Sequence, residues 1–186
     1  MTQFELVERR RRMARRIKYR RGVRAIVVAD SQVLLMRDSD PGVAGSSWWV
    51  IPGGGVDADE DLEVALQREL AEETGLEAAP DQLRQRIAGR RVIHGYSDRI
   101  LVQDEVFFRV PVDWFQPQPA GLTAAEQARV TEIAWQPIDA LPTPVWPRDL
   151  AQLIYLNQYR NLGVVEESTV RLTPSEWEQA VQLPGE

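Results

Sequence analysis

The spacing of apolar and polar positions changes character several times along this chain. Val23 to Ala29 and Gln32 to Met36 are rich in β-branched and aliphatic residues, separated only by Asp30-Ser31, a pattern that predicts a β-hairpin. Pro41, Gly42 and Gly45 mark residues 38–47 as a loop, and Trp48-Trp49-Val50-Ile51 is a short strand that stops at Pro52-Gly53-Gly54-Gly55. The period then lengthens. Leu62, Ala65, Leu66 and Leu70 recur on one face of a helix over residues 61–73, and Thr74-Gly75 ends it, glycine being the usual residue just past a helix. Strand-like runs follow at residues 87–93, 99–102, 105–112 and 131–136, with a Pro/Gln/Gly loop through 116–123 before the last. Leu150 to Asn161 reads as a second helix, after a connection punctuated by Pro142, Pro144 and Pro147. Thr173-Pro174-Ser175-Glu176 is a capping box with proline at the first helical position, opening a short terminal helix. At the other end, residues 3–18 are strong helix formers without Gly or Pro and predict a helix. Interleaved strands and helices in 186 residues predict one mixed α/β domain.

Composition narrows the chemistry. The chain has no cysteine, which excludes disulfides, thiolate metal sites and a cysteine nucleophile. Its single histidine, His94, excludes a His-cluster zinc site. No apolar run approaches the roughly 20 residues that span a bilayer, and the basic N-terminus lacks the apolar stretch of a secretory signal, so a cytoplasmic protein without a membrane partner is expected. The net charge of −6 is unevenly spread. Ten of the 22 basic residues fall within residues 1–24, with only Glu5 and Glu8 opposing them; subtraction leaves 12 basic and 26 acidic residues in 25–186, a net of −14. Such a basic arm could bind nucleic acid through residues 9–24, or dock on the acidic body of its own or a second subunit as part of a homodimer. Phe4, Leu6, Val7, Met13 and Ile17 also allow an amphipathic packing helix.

The chemistry concentrates in residues 54–76, GGVDADEDLEVALQRELAEETGL. Its helix puts Glu69, Glu72 and Glu73 at i, i+3 and i+4, on one face. Like charges at that spacing cost about 0.2–0.5 kcal/mol per pair, and Glu73 sits in the last turn, where the helix dipole disfavours anions. A cation would offset both costs, and clustered carboxylate oxygens suit Mg²⁺ or Mn²⁺. The preceding Gly53-Gly54-Gly55 turn could bring a carbonyl to a metal or amides to phosphate oxygens. Read alone, the glutamates are better taken as a solvated acidic helix face, as most such clusters are.

The full spacing adds more. Gly54, five residues, Glu60, seven residues, then Arg68-Glu69-Leu70-Ala71-Glu72-Glu73-Thr74-Gly75-Leu76 resembles the Nudix box at every defining position. Seven fixed residue types at about 6% usage each coincide by chance roughly once in a few hundred million placements. Trp49-Val50-Ile51-Pro52-Gly53-Gly54 also resembles the strand and turn that lead into the box, and the looser likeness runs over about residues 20–160. The resemblance implies a Nudix-like α/β/α sandwich with a mixed β-sheet. It also implies divalent-metal-dependent hydrolysis of a diphosphate linkage in a nucleoside diphosphate derivative, releasing a nucleoside monophosphate. By position it assigns the metal to Glu69, Glu72 and Glu73 with the Gly53 carbonyl, and makes Glu72, Glu73 and Arg68 catalytic. Arg68 pairs with Glu60, and Glu60 and Gly75 are structural within the box. Asp59 departs from the family, which usually has glycine there. Many relatives recruit one more glutamate from the loop before the last sheet strand, as ligand or general base; Glu126 is expected here, with Glu132 and Glu105 as rivals.

Residues 1–19 are expected as a basic helix or arm, 20–160 as the hydrolase domain and 161–186 as an extension with a short helix. For the substrate, Arg37, Trp48, Gly54 and Gly55 are the expected contacts, with Trp49, His94, Tyr96 and Asp98 nearby in sequence. Relatives that cleave ADP-ribose tend to carry a proline shortly past the box, where this chain has Arg91 to Ile93, and those that cleave diadenosine polyphosphates a tyrosine just beyond, to which Tyr96 is only near. A modified nucleoside triphosphate or a nucleoside-diphosphate sugar therefore stands beside two alternatives: removal of pyrophosphate from an RNA 5′ end, and a non-catalytic nucleotide-binding regulator.

Overall fold

A computed structural model describes residues 15–183. Its elements in chain order are β1 (Arg16–Ala29), β2 (Gln32–Asp38), β3 (Trp48–Val50), α1 (Leu62–Thr74), β4 (Arg86–Gly95), β5 (Arg99–Pro111), α2 (Ala124–Gln127), β6 (Glu132–Pro137), β7 (Val145–Trp146), α3 (Leu150–Leu153), β8 (Arg160–Glu166) and α4 (Pro174–Val181). The eight strands form one mixed sheet in the order β7-β3-β2-β1-β5-β4-β8, with β6 also paired to β2. The long central ladder is parallel, running from Arg16 opposite Arg99 to Val28 opposite Pro111. Antiparallel β1–β2 and β4–β5 pairs flank it.

Alternation along β1 decides the layers, because successive side chains of a strand leave opposite faces. Val23, Ala25 and Val27 pack with Phe108 against Ala65, Leu66 and Leu70 of α1. Ile26, with Val33 and Phe107, packs against Leu150, Leu153 and Ile154 on the other face. A third cluster joins Ile93, Ile100 and Val102 to Ala180 of α4. Helices therefore cover both faces of the sheet, giving an α/β/α sandwich with α1 against one side. Among the described residues no helix is long and apolar enough to cross a membrane.

Several expectations hold: the hairpin about Asp30-Ser31, the box helix, and the capped terminal helix, whose Thr173 accepts from the Glu176 N–H. Others are corrected. The N-terminal helix expected over 3–18 is strand at residues 16–18, where the parallel partner β5 supplies a ladder that outweighs helix propensity; residues 1–14, with Arg9 to Arg12, lie outside the described residues. The two runs 99–102 and 105–112 are one strand, because Gln103 and Asp104 find buried or charged partners instead of breaking it. The helix expected over 150–161 is one turn, Leu150–Leu153, and residues 160–166 form β8, parallel to β4. The extension after residue 160 thus enters the sheet of the preceding domain.

Candidate active site

Asp61 precedes α1 without a side-chain cap, and Gly75 closes it at φ 74°, its N–H returning to the Ala71 carbonyl. The helix lies so that Glu69 and Glu73 are buried, each 8% exposed, against the Gly53-Gly54-Gly55 turn. Two features force glycine into that turn. Gly53 has φ 129°, a conformation side chains avoid, and a Cβ there would collide with the Val23 carbonyl. A Cβ on Gly54 would stand 2.5 Å from the Glu69 carboxylate, so that carboxylate rests directly on the Gly54 backbone. The turn is stitched to β1 by Val23 N–H to Gly54 O at 3.0 Å and Ala25 N–H to Pro52 O at 2.9 Å.

Arg68 organises the outer side of the helix. It donates to Glu60 Oε1 at 3.0 Å and Oε2 at 2.9 Å, to the Gly55 carbonyl at 2.9 Å and to Glu69 Oε1 at 2.8 Å. Glu60 is held below the ordinary carboxylate range chiefly by that hydrogen bond. Asp59 adopts φ 64°, the left-handed region that suits the glycine the family usually has there.

Glu73 is placed differently. Its recorded hydrogen bond is from the Gly53 N–H at 2.7 Å, and no ion pair to it is recorded among the described residues. Burial, reinforced by repulsion from Glu69 and Glu126, pushes its carboxyl up to about 8. Glu69 is also raised, by burial, with Arg68 opposing. Both face a cavity of 590 Å³ lined as well by Gly53, Gly54, Gly55, Glu126, Trp48, Tyr96, His94 and Trp146 and by the basic residues Lys18, Arg20, Arg24, Arg90, Arg99 and Arg129. One side of a single cavity is acidic and other parts are basic.

Not every expected residue joins it. Glu126 lines the cavity, but its Oε2 is engaged by Thr123 N–H at 2.8 Å and Oγ1 at 2.6 Å in the capping box of α2. Glu72 is not among the lining residues; its side chain is 44% exposed, 3.6 Å from Arg68. Arg37 also lies off the cavity, donating to Ser47 Oγ at 2.8 Å and facing Glu132 at 3.8 Å, since its β2 position points outward. That places the rival Glu132 on the exposed side too. Glu105, the other rival, is in the cavity floor but fully paired: Arg24 Nε at 2.8 Å, Arg90 Nε at 2.8 Å and Gln103 Nε2 at 2.6 Å. Burial works to raise its carboxyl, yet Arg24, Arg90 and His94 overcome this and hold it down at about 2, too weak a base to take a proton from water. Trp49 packs in the core on the α3 side.

Five contributors go unread in the sequence as site residues: Arg24, Arg90, Arg99, Trp146 and Glu167. Arg24 donates to the Gly53 carbonyl at 2.6 Å, and Arg90 bridges Glu105 to Glu167 at 2.8 Å to each. A charged residue in mid-strand between apolar neighbours, as in Val23-Arg24-Ala25, was the available signal. Glu167 carried none.

As to a metal, no three acidic or histidine side chains among the described residues form a ready-made cage. The donor chemistry nevertheless fits a hard divalent cation. Glu73 is a buried carboxylate with no cation of its own, a costly arrangement unless it is protonated or met by a ligand's charge. Glu69 and Glu126 bring further oxygens to the same cavity.

Comparison with known proteins agrees with this architecture. The family model for the NUDIX domain matches residues 18–156. The chain is 32% identical over 139 residues to an RNA pyrophosphohydrolase of Gluconacetobacter diazotrophicus, covering 69% of this chain and 81% of that protein. It is 31% identical over 136 residues to the CTP pyrophosphohydrolase of Escherichia coli strain K12, covering 70% and 86%. Among solved structures, the solution structure of the E. coli ORF135 protein superposes with a TM-score of 0.51 at 27% identity, covering 74% of this chain and 87% of that one. The chain belongs to the Nudix family. It is a Nudix-type hydrolase, and the two relatives are named for pyrophosphohydrolysis of different nucleotide derivatives.

Proposed function

We propose that the protein hydrolyses a diphosphate linkage in a small nucleoside diphosphate derivative, a modified nucleoside triphosphate or a nucleoside-diphosphate sugar, with Mg²⁺ or Mn²⁺, and releases a nucleoside monophosphate. The observation that carries this is the buried Glu73, with no ion pair among the described residues, beside Glu69 in a cavity that basic side chains also line. Glu69 and Glu73 would hold the divalent ion with Glu126 and the Gly53 carbonyl, and Glu72 would support them from beside Arg68. When bound, such an ion neutralises diphosphate oxygens and lowers the pKa of a coordinated water.

The chain's own groups do the rest. Arg68 clamps Glu60, Gly55 and Glu69 together, so the turn and the helix keep one geometry when charge enters. Arg24 orients the Gly53 carbonyl, and the Gly53 N–H fixes one Glu73 oxygen, leaving the other for the cavity. Lys18, Arg20 and Arg99 supply positive charge for the phosphates. Glu126 is assigned the general base, for which it must release Thr123 and turn inward.

The test is nucleoside monophosphate release from a panel of nucleoside triphosphates and nucleoside-diphosphate sugars with Mg²⁺, wild type beside Glu73→Gln. The reading expects activity on at least one member and its loss in the variant; a wholly inactive wild type or an unimpaired variant contradicts it.

One observation favours an RNA 5′ end as a second reading. A neighbouring groove of 940 Å³ shares Tyr96, Arg99, Ala125 and Arg129 with the first cavity and adds Arg15 and Arg16. A polyanion could continue along it. Arg16 is exposed in that groove, so Arg16→Glu probes it without removing strand residues. Selective loss of RNA turnover in that variant supports this reading, and no loss, or equal loss on small nucleotides, counts against it.

A further inference from the structure

Four rings in the cavity wall close into a circuit. Trp48 stacks on Trp146 with centroids 4.5 Å apart; Trp146 meets His94 at 5.4 Å, His94 meets Tyr96 at 5.7 Å, and Tyr96 meets Trp48 at 6.4 Å. Their planes are tilted by only 30–36° from one neighbour to the next. They come from separate segments: β3, β7, the end of β4 and the residue after it. The result is an aromatic panel facing the same space as the carboxylates. Trp48 and Trp146 are too close together to admit a ring between them, and at 3% and 7% exposed they hold the wall firm around His94 and leave no wide free face for stacking.

His94 gives the panel a polar mark. It is 4% exposed, and its Nδ1 lies 2.7 Å from the Glu167 carbonyl oxygen. A carbonyl only accepts, so Nδ1 carries the proton and Nε2 is an acceptor in the neutral ring. Burial holds the ring neutral, with its pKa down at about 4, although Glu105 and Glu167 pull the other way. No hydrogen-bond partner of Nε2 is recorded among the described residues, and no buried side-chain atom there is left unsatisfied. Nε2 therefore opens on the cavity. Glu167 itself is fixed twice more, by the Arg148 N–H at 2.8 Å and by Arg90 at 2.8 Å. It lies beyond the segment matched by the family model, in the extension that follows β8.

We propose that the nucleobase meets the Trp48–Trp146–His94–Tyr96 cluster edge-on, near the plane of the His94 ring, and that His94 Nε2 selects bases presenting an N–H donor at the edge that meets it. The inference rests on the reading of the substrate as a nucleotide. A base seated there without such a donor leaves a buried acceptor bare, which is the situation that lets polar sites reject analogues strongly. Glu167 is a positioning residue: its carbonyl sets the tautomer that makes Nε2 an acceptor.

Nucleoside monophosphates contain no diphosphate to cleave, so calorimetric binding to the full chain reads recognition without hydrolysis. Adenosine, guanosine and cytidine 5′-monophosphates would be compared with purine riboside and zebularine 5′-monophosphates, whose bases lack N–H donors. The wild type should bind at least one donor-bearing nucleotide about tenfold or more tightly than its donor-free counterpart. His94→Phe, which keeps an aromatic ring in the panel, should bring the two within about threefold. A smaller wild-type preference, a preference that survives in His94→Phe, or no binding by any of the five overturns the proposal. If His94→Phe does not fold, the wild-type comparison decides alone. Failure of the hydrolysis assay with every triphosphate and nucleoside-diphosphate sugar would refute the proposed reaction and leave this binding result standing, so the two can be told apart.

Discussion

Glu73 and Glu105 are both buried glutamates bordering one cavity, yet one carboxyl is pushed up to about 8 and the other held at about 2. Both lose hydration. Glu105 recovers it from Arg24, Arg90 and Gln103, which saturate its oxygens; Glu73 has one backbone N–H and the charge of Arg24 without an ion pair, set against two repelling carboxylates. The paired carboxylate is scaffold, holding β1, β4, β5 and the segment after β8 in register. The unpaired one is kept at a cost to stability that a proton or incoming positive charge removes. Within this cavity, what separates scaffold from site is whether the chain supplies its own counter-charge.

The sharpest break of that comparison is functional. Glu73→Gln should lower kcat by about 10²–10⁴-fold on whichever nucleotide is turned over, the range for a group acting on the reacting atoms. It should not lower the urea midpoint of the metal-free protein at neutral pH, because a neutral amide replaces a carboxyl that burial already disfavours in its charged form. Glu105→Ala should do the opposite at its first step, costing about 3–5 kcal/mol of folding stability by stranding Arg24 and Arg90, measured by urea denaturation. Glu63→Ala, which breaks only the exposed pair with Arg86, should cost about 0.2–1 kcal/mol.

Acid should expose the paired region next. His94 binds its proton at about 4 in the folded chain against an ordinary 6.5, and Glu105 at about 2 against 4.5. In both cases the unfolded chain binds more protons within the window, so stability falls with falling pH, from 6.5 towards 4 through His94 and from 4.5 towards 2 through Glu105. The groups facing Glu105 are Arg24 on β1, Arg90 and His94 on β4 and Gln103 on its own strand, and of these only His94 titrates in that range. Glu73, raised to about 8, gains stability over part of the same range, so the profile is read in Glu73→Gln, where a urea midpoint that is flat between pH 6.5 and 3 would contradict the pairing. The smallest effect belongs to the turn before α1. Asp59→Gly relieves a left-handed residue, worth about 1–2 kcal/mol, against glycine's extra chain entropy of about 0.5–1 kcal/mol, for a net gain of about 0.5 kcal/mol in thermal or urea unfolding.

These two regions differ in legibility for the same physical reason. The carboxylate helix is local: Leu62, Ala65, Leu66 and Leu70 announce its buried face, and the box spacing places Glu69 and Glu73. The ion network is not local, since Glu105 and Glu167 are joined through Arg90 from three separate segments, and no single window of sequence contains them. The misreading of residues 150–161 has a related cause. Leu150, Leu153 and Ile154 do carry helical spacing into the core, but beyond them Tyr155 and Tyr159 are exposed, and β8 exists because β4 offers it an edge. Likewise Arg16 to Lys18 follow their partner strand over their own propensity. Among the site residues, Glu69, Glu73, Glu126, Trp48 and the glycine turn come together in the cavity, whereas Glu72 and Arg37 do not line it, because a residue's face on its element was not fixed by its position in the motif.

The account stands on Glu73 and Glu69 being the place where this chain receives positive charge. A crystal soaked in Mn²⁺ tests that directly by anomalous scattering. The account predicts an ion bound to the Glu69 and Glu73 carboxylates, with the Arg24–Glu105–Arg90 pairs unchanged. An ion that settles elsewhere, or a Glu73 left without one, contradicts it.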